Sequence, residues 1–289
     1  MPAADSRLPY LCAMDQLRPL LTTYAYNIVG SLEEAKDIVQ DAFLKFMAVD
    51  SDKIEDKKAY LVRTVINLSI NAKNRQHKLV AAYPGPWLPE PVATERADAG
   101  IVQKEVLSYS LMVLLEKLNA KQRAVFILKE AFDYDHEEIA GVLEISVDNS
   151  RKLLSRAKEQ LHKGTPVVHM PSSTAYIDKY LSVIQQGDVH QLEQLLHDEV
   201  SLTSDGGGKA VSATKPLFGI HSVSSFLLGI FTKHYLFGTI EKGMVNQDPA
   251  LFVYYEGKLV TCQVFAIEDG KLVDTWLMRN PDKLAALQK

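Results

Sequence analysis

The sequence predicts a multidomain chain in which two all-α domains precede an α+β domain with a curved antiparallel sheet. Apolar residues recur at helical spacing over residues 17–162. Prolines interrupt that pattern over residues 84–91 and cannot donate backbone hydrogen bonds there. The last third is rich in β-branched and aromatic residues, with hairpin signals at Glu256-Gly257 and Asp269-Gly270. Helices followed by antiparallel strands favour a cone-shaped fold that encloses a pocket.

The same breaks in the sequence pattern divide the chain into three domains and two linkers. A chain of 289 residues is long enough for each domain to bury its own core. The predicted segments are a helical domain over 1–80, a proline-rich linker over 81–102, a second helical domain over 103–164, a short linker over 165–173 and the α+β domain over 174–289.

Three helices are predicted in the first domain. The first helix ends near Gly30, and Ser31 with Glu34 three residues later forms a capping-box pattern that begins the second. A polar segment over 50–57 then precedes a third helix over about 58–78.

The second domain is predicted to end in a helix-turn-helix. Helical periodicity runs over 103–118, and Asn119 is a suitable N-cap for the next helix. A short helix over 137–143, a turn over 144–146 and a longer helix over 147–162 follow. In the last domain, helices are predicted over 175–186, 189–196 and 222–233.

Charge is segregated along the chain. The formal net charge of -4 argues against a general nucleic-acid coat. However, the segment from Arg63 to Lys78 contains no acidic residue, and the segment from Arg151 to Lys163 is mostly basic. Such segments are expected to meet phosphates.

Composition excludes several classes of protein. The apolar runs are far too short to span a bilayer, so we expect no membrane segment and a cytoplasmic protein. Cys12 and Cys262 are isolated, and the histidines show no metal-ligand spacing. We therefore expect no metal and no cofactor.

Three motifs occur in a characteristic order. They are Ala35 to Phe46, Tyr60 to Arg75 and Ser146 to Lys158. Together they resemble the polymerase-docking helix, the minus-10 helix and the minus-35 recognition helix of group 4, extracytoplasmic-function sigma factors. The resemblance implies binding to the β and β′ subunits of core RNA polymerase and to promoter DNA.

Three further segments resemble one subgroup, which carries a C-terminal SnoaL/NTF2-like extension. They are Trp87 to Pro91, Asp205 to Lys209 and Asn280 to Leu284. The resemblance implies that the extension regulates the sigma factor and is not an enzyme. A small-molecule ligand in the C-terminal pocket is a further possible partner under this resemblance.

Candidate residues for the two sigma domains follow from these motifs. For core polymerase we expect Asp37, Gln40, Asp41 and Phe43, although polar residues on this helix also fit a solvated face. Cations and amides suited to unstacked bases form a strip, here called the minus-10 strip. Its members are Arg63, Asn67, Asn71, Lys73, Asn74 and Arg75. The loop over 50–56, where relatives hold a flipped base, is acidic here.

The minus-35 candidates lie on the last helix of the helix-turn-helix. Asn and Arg side chains can make bidentate contacts with base edges, whereas later cations suit phosphates. Leu153 stands where many relatives carry Arg, so their base code cannot be transferred, and an ordinary basic amphipathic helix is the alternative. The candidates are Asn149, Ser150, Arg151, Lys152, Ser155, Arg156 and Lys158.

The regulatory candidates come from the linker and the extension. Consecutive glycines allow another segment to approach closely, so we expect the glycine-rich loop to contact the Trp87 linker, although a simple turn is the alternative. The residues are Trp87, Leu88, Pro89, Asp205, Gly206, Gly207, Gly208, Lys209, Asn280, Pro281, Asp282 and Lys283.

Two rival functions remain open at this point. One is a ligand-sensing repressor that uses only the helix-turn-helix, which leaves the Asp37 helix and the minus-10 strip unexplained. The other is an NTF2-like enzyme with a DNA-binding arm, in which Asp205 acts as general base.

Overall fold

The structure is a computed structural model, and it describes residues 15–49, 54–80, 82–94, 100–162 and 174–288. The described residues divide into two compact units. A helical unit takes residues 1–78, 97–107 and 114–164, and a mixed unit takes residues 79–96, 108–113 and 165–289, each as far as the structure describes it. Most of the linker therefore belongs to the same unit as the C-terminal domain.

The predicted three helices of the first domain are confirmed. They are α1 (Arg18–Val29), α2 (Leu32–Ala48) and α3 (Lys57–Val80). The side chain of Ser31 accepts a hydrogen bond from the amide of Glu34, as the capping pattern predicts. Gly30 ends α1 in the left-handed region, with φ of 79°.

The second domain contains α4 (Tyr109–Leu114), α5 (Ala120–Phe126), α6 (His136–Leu143) and α7 (Val147–His162). Asn119 and Gln122 form a full capping box at α5, and the left-handed Glu144 makes the turn between α6 and α7.

The helix expected over 103–118 is broken, and this prediction was wrong. Only a 3₁₀ turn, Gln103–Glu105, precedes an extended Val106. The Leu107 amide donates to Asn27 Oδ1 at 3.2 Å, and Val106 and Leu107 are buried. Tertiary contacts thus replace the local helical hydrogen bonds that periodicity alone predicts.

A buried ion cluster joins the first and second helical domains. Lys73 Nζ lies 2.8 Å from both carboxylate oxygens of Glu116, and Arg123 Nη1 pairs with the same carboxylate. Arg123 Nε donates to the carbonyl of Asn27 at 3.0 Å. Burial and neighbouring Arg123 lower the pKa of Lys73 to about 7. Burial alone would raise the pKa of Glu116, but Arg123 and Lys73 hold it below its ordinary value.

The mixed unit has the predicted α+β class. Its helices are α8 (Thr174–Gln186), α9 (Val189–Gln194), α10 (Ile220–Ile230) and α11 (Pro281–Leu284). Its strands are β1 (Leu196–Asp205), β2 (Leu217–Phe218), β3 (Thr239–Val245), β4 (Asp248–Tyr255), β5 (Lys258–Glu268) and β6 (Lys271–Met278).

The six strands form one sheet in the order β2-β1-β6-β5-β4-β3. Hairpins join β3 to β6 as antiparallel neighbours, and the turns at Glu256-Gly257 and Asp269-Gly270 lie where the sequence predicts them. Irregularities near Val253 and Ala266 bend the strands. The sheet departs from the prediction in one pair, because β1 runs parallel to β6. The long connection between these strands permits that direction.

Both faces of the sheet are covered by apolar residues. One face packs against α8, α9 and α10 and includes Phe265 and Leu277. The opposite face carries Val264, Trp276 and Met278, and its cluster also contains Leu88 and Tyr109. The linker and the first turn of α4 therefore complete the second core of this unit.

None of the described helices is long and apolar enough to cross a membrane. Cys262 is buried, Cys12 lies outside the described residues, and no group of three metal-ligating side chains occurs among those described.

Removing the charge of Glu116 should destabilise the helical unit strongly. Glu116→Gln would leave Lys73 and Arg123 buried without their counterion, at a cost of about 3–5 kcal/mol in free energy of unfolding. Asp15→Asn is the control, because Asp15 and Arg18 form an exposed pair for which we expect a loss below about 1 kcal/mol. Urea denaturation measures both, and equal losses would contradict the assigned role of the buried cluster.

Candidate functional site

The polar face of α2 is available for a partner. Asp37, Gln40 and Asp41 are all exposed, as predicted from their spacing. Leu44 and Met47 extend the same face and are 52% and 44% exposed. Two large apolar side chains next to acidic ones form a surface suited to a protein partner that carries cations.

Phe43 does not belong to this face, which corrects one prediction. It is buried together with Val39 and Phe46, which lie one turn before and after it. The guanidinium carbon of Arg18 lies 4.5 Å from the centre of its ring. Leu44 is the exposed residue that sequence reasoning missed, although its position seven residues after Asp37 places it on the polar face.

Contacts from α6 and its following turn cover part of the minus-10 strip. Asn67 Nδ2 donates to the carbonyl of Val142 at 3.0 Å and to the carbonyl of Arg63 at 3.0 Å. Arg63 Nη1 lies 3.7 Å from Glu144 Oε1. Asn71, Asn74 and Arg75 are exposed, and a groove of about 300 Å³ lies beside Asn67 and Asn71.

Lys73 cannot contact DNA in this arrangement, which corrects a second prediction. Its side chain is 1% exposed and is taken up by Glu116 and Gln76, each at 2.8 Å. Residues 50–53 of the predicted flipped-base loop lie outside the described residues. Asp56, at its end, accepts a hydrogen bond from the Ala59 amide in the first turn of α3.

One face of α7 is exposed and positively charged. Asn149, Arg151, Lys152, Ser155 and Arg156 are all exposed on it. This set presents amide, hydroxyl and cationic groups in the chemistry that major-groove base edges and phosphates require.

Three of the minus-35 candidates have partners within the protein. Arg151 forms exposed ion pairs with Asp148 at 3.5 Å and with Glu137 at 4.0 Å. Ser150 is fully buried and lies 2.9 Å from His136 Nδ1, so it packs α6 against α7 and does not face DNA. This corrects the prediction that Ser150 contacts DNA, because Ser150 lies on the same face of α7 as the buried Leu154 and Ala157. Lys158 Nζ lies 2.9 Å from Glu130 Oε1, so it would have to exchange this partner for a phosphate.

A buried carboxylate joins the linker to the C-terminal domain. Asp205, at the end of β1, is fully buried. Its Oδ1 accepts hydrogen bonds from Tyr83 Oη at 2.6 Å and from the Gly207 amide at 3.0 Å. Its Oδ2 accepts from the Leu88 amide at 3.0 Å and from Lys283 Nζ at 2.7 Å. We call these five residues the linker site.

The ammonium group of Lys283 makes two further contacts with the linker. Its Nζ donates to the Leu88 carbonyl at 2.5 Å and lies 4.2 Å from the centre of the Trp87 ring. Burial and the hydrogen bond to Asp205 raise the pKa of Tyr83. The phenol therefore remains a neutral donor to the carboxylate.

Each glycine of the loop after Asp205 allows a close approach. A Cβ at Gly206 would lie 2.2 Å from the Ala210 carbonyl oxygen, and one at Gly207 would lie 2.4 Å from Asn280 Nδ2. A Cβ at Gly208 would lie 2.7 Å from Pro84 Cγ of the linker. Any larger residue would therefore displace a neighbouring segment.

The remaining regulatory candidates differ in their distance from the linker. Asn280 Nδ2 donates to Tyr83 Oη at 3.0 Å, whereas Leu88 and Pro89 are buried in the linker itself. Lys209 and Asp282 are exposed and pair with each other at 2.5 Å, and Pro281 is exposed. The structure thus brings together most of the predicted set.

Sequence reasoning missed Tyr83 and the turn between β3 and β4. The turn is Asn246-Gln247, with φ of 48° and 66°, a left-handed conformation that Asn tolerates. Asn246 Oδ1 accepts from the amide of Val92, and the Asn246 amide donates to the Val92 carbonyl. An Asn without a following Gly is a weak turn signal, so local sequence patterns do not predict this turn.

Comparison with known proteins agrees with this arrangement. Residues 13–79 match the family described as Sigma-70 region 2, and residues 108–161 match Sigma-70, region 4. The chain is 30% identical to the ECF RNA polymerase sigma factor SigJ of Mycobacterium tuberculosis, over 93% of this chain and 91% of SigJ. It is 23% identical to the probable ECF RNA polymerase sigma factor SigI of the same organism, over 97% and 96%.

The crystal structure of Mycobacterium tuberculosis SigJ is similar over almost the whole length. The TM-score is 0.79 at 29% identity, covering 96% of this chain and 98% of the SigJ chain. Both sigma regions are present, and an α+β domain with a six-stranded sheet follows them. The chain therefore belongs to the extracytoplasmic-function sigma factors, which partner core RNA polymerase and promoter DNA and direct transcription initiation.

Proposed function

We propose that the C-terminal domain regulates this sigma factor by holding the linker between regions 2 and 4. The observation that carries the proposal is the linker site, in which one buried carboxylate binds Tyr83 and Leu88 of the linker and Lys283 of the C-terminal segment. A buried charge without these partners would be costly, so the linker and the domain fold together. A held linker limits how far region 4 can move from region 2.

The contacts inside the helical unit support a closed, resting form. Asn67 and Arg63 of the minus-10 strip bind Val142 and Glu144, which belong to region 4. The ion cluster of Lys73, Glu116 and Arg123 fixes the same two regions together. Promoter DNA would have to displace these internal partners to use Asn67 and Arg63. We infer that binding of core polymerase shifts the population toward an open form.

The exposed residues supply the contacts of the open form. We propose that Asp37, Gln40 and Asp41, with Leu44 and Met47, bind core polymerase. Within α7, we assign Asn149, Arg151 and Lys152 to base edges and Ser155, Arg156 and Lys158 to phosphates. Asn71, Asn74 and Arg75 are assigned to the minus-10 element. We propose that the protein acts in the cytoplasm, together with core polymerase and promoter DNA.

A regulatory role fits the C-terminal domain better than a catalytic one. Asp205, the candidate base of an NTF2-like enzyme, is fully buried and binds four donors. A substrate could reach this carboxylate only after the linker had left. The proposed mechanism also needs no small-molecule ligand, because polymerase and DNA supply the competing contacts.

Charge reversal on α2 should weaken binding to core polymerase. Asp41→Lys places a cation on the face that we assign to basic residues of the polymerase, so we expect at least about a tenfold higher Kd. Glu268→Lys makes the same charge change on an exposed strand end of the mixed unit and should leave the Kd unchanged. Fluorescence anisotropy with core enzyme measures both, and an unchanged Kd for Asp41→Lys would refute the assignment.

Two arginines of α7 should have different effects on promoter selection. Arg151→Ala removes a proposed base contact, which costs about 1–3 kcal/mol and should relax the preference at one minus-35 position. Arg156→Ala removes a proposed phosphate contact and should weaken all promoters to a similar degree. The measurement is run-off transcription on a library of minus-35 variants, with Lys121→Ala as an exposed region 4 control. Identical promoter profiles for the two variants would contradict the distinction.

Loss of the Asp205 carboxylate should release the linker and increase transcription. We expect Asp205→Ala in the full chain to raise run-off transcription roughly tenfold at limiting core polymerase, which corresponds to about 1.4 kcal/mol lost from the closed form. Hydrogen exchange at the Leu88 amide should also accelerate. Trp87→Ala removes the cation–π contact with Lys283 and leaves the carboxylate in place, so it should act in the same direction with a smaller effect.

Lys209→Ala is the matched control for this experiment. Lys209 lies in the same loop but is exposed and pairs with Asp282, so its loss should change neither transcription nor exchange at Leu88. The proposed regulation fails if Asp205→Ala exposes the Leu88 amide and transcription stays at the wild-type level.

A further inference from the structure

A second contact of the C-terminal domain involves region 4 itself. The match to region 4 begins at residue 108, and residues 108–113 fold within the mixed unit. The remaining matched residues, from 114 onward, fold within the helical unit. The first turn of α4 is thus the part of region 4 that the C-terminal domain holds.

The β3–β4 turn makes this contact through backbone amides. The Tyr109 amide donates to the Asn246 carbonyl at 3.2 Å, and the Ser110 amide donates to Asp248 Oδ2 at 2.9 Å. These are N–H groups of the first turn of α4, which have no acceptor within the helix. Asn246 and Asp248 therefore accept hydrogen bonds from buried N–H groups that the helix itself does not satisfy.

Side-chain packing reinforces the same attachment. Tyr109 is fully buried, its ring lies 5.7 Å from that of Trp276 in an edge-to-face arrangement, and its hydroxyl donates to the Pro89 carbonyl at 2.8 Å. The aromatic ring of region 4 is therefore part of the core that the sheet and the linker share.

The turn is shaped to hold two segments at once. Asn246 pairs with Val92 through its side-chain oxygen and its amide, and the Gln247 amide donates to Thr94 Oγ1 at 3.3 Å. An antiparallel bridge joins Ala93 to Val245 next to it. One side of the turn thus binds the end of the linker, and its backbone carbonyl and Asp248 bind region 4.

We propose that the β3–β4 turn is an anchor for region 4, and that release of Tyr109 and Ser110 from Asn246 and Asp248 is a regulatory step separate from release of the linker site. The inference deepens the proposed function and rests on it, because it assumes that the C-terminal domain restrains the sigma regions. We call Asn246, Asp248, Tyr109 and Ser110 the region 4 anchor. It shares no residue with the linker site.

Two substitutions at Asp248 separate the acceptor from the charge. Asp248→Ala removes the acceptor for the Ser110 amide, whereas Asp248→Asn retains an oxygen at the same position. Burial raises the pKa of Asp248 to about 7, so the cost of ionising this carboxyl grows as pH rises from its ordinary pKa toward 7 and is fully present at pH 8. The Asn variant lacks that cost and should hold the anchor at least as well as the wild type at pH 8.

The test combines hydrogen exchange and run-off transcription on the full-length chain at pH 8. For Asp248→Ala we expect roughly tenfold faster exchange at the amides of Tyr109 and Ser110, the factor that corresponds to about 1.4 kcal/mol. Exchange at Leu88 should stay slow, because the linker site is intact, and transcription at limiting core polymerase should rise several-fold. Asp248→Asn should match the wild type in all three measurements.

Ser110→Pro provides an independent route if Asp248→Ala loses protection throughout β5, which would indicate an unfolded domain. It removes the amide donor and leaves the sheet unchanged, and proline is tolerated at the second position of a helix, as Pro19 is in α1. We expect faster exchange at Tyr109 and higher transcription. Transcription at the wild-type level despite faster exchange at Tyr109, or exchange that stays slow, would overturn the anchor.

Comparison with Asp205→Ala distinguishes the two proposals. If Asp205→Ala changes transcription and the anchor variants do not, the linker regulates the protein and the anchor is only structural. If neither kind of variant changes transcription although both accelerate exchange at their own amides, the proposed regulation itself is refuted.

Discussion

The arrangement of the C-terminal half depends on one buried negative charge. The carboxylate of Asp205 lies at the end of β1 and has no exposed surface. Its oxygens must therefore accept hydrogen bonds from donors within the protein. Tyr83 and Leu88 of the linker and Lys283 of the last helix provide them. Removing any one segment would leave a buried charge partly unpaired. The linker is therefore a structural element of the domain, and a flexible tether would not satisfy this carboxylate.

The helical unit uses the same physical principle to hold regions 2 and 4 together. Glu116 pairs with both Lys73 of region 2 and Arg123 of region 4 in a buried site. These charges cannot separate without meeting water or new partners, which gives the closed form a cooperative character. The exposed pair of Arg63 and Glu144 adds little free energy of stabilisation. It nevertheless occupies the Arg63 side chain, which DNA would need. Opening therefore means exchanging internal partners for external ones.

Local sequence patterns predicted the secondary-structure elements well, but they predicted less well which side chains of an element are exposed. The Ser31 cap, the turn around Glu144 and the two glycine hairpins depend on a few neighbouring residues, so the sequence alone was sufficient for them. The predictions that Phe43 and Ser150 contact partners were wrong because a shift of one residue along a helix separates an exposed position from a buried one.

The prediction that Lys73 contacts DNA was wrong for a different reason. Its partner Glu116 lies 43 residues away in the sequence, and only the tertiary structure brings the two together. The parallel pairing of β1 with β6 likewise depends on the whole fold.

The two attachments of the C-terminal domain differ in physical character. At the linker site a cation, Lys283, lies 2.7 Å from the carboxylate. At the region 4 anchor the carboxylate of Asp248 meets the backbone amide of Ser110, and burial raises its pKa to about 7. An acceptor that bears a desolvation cost holds its donor less firmly than one compensated by a cation. We therefore expect the first turn of α4 to be released from Asp248 more readily than the linker is released from Asp205.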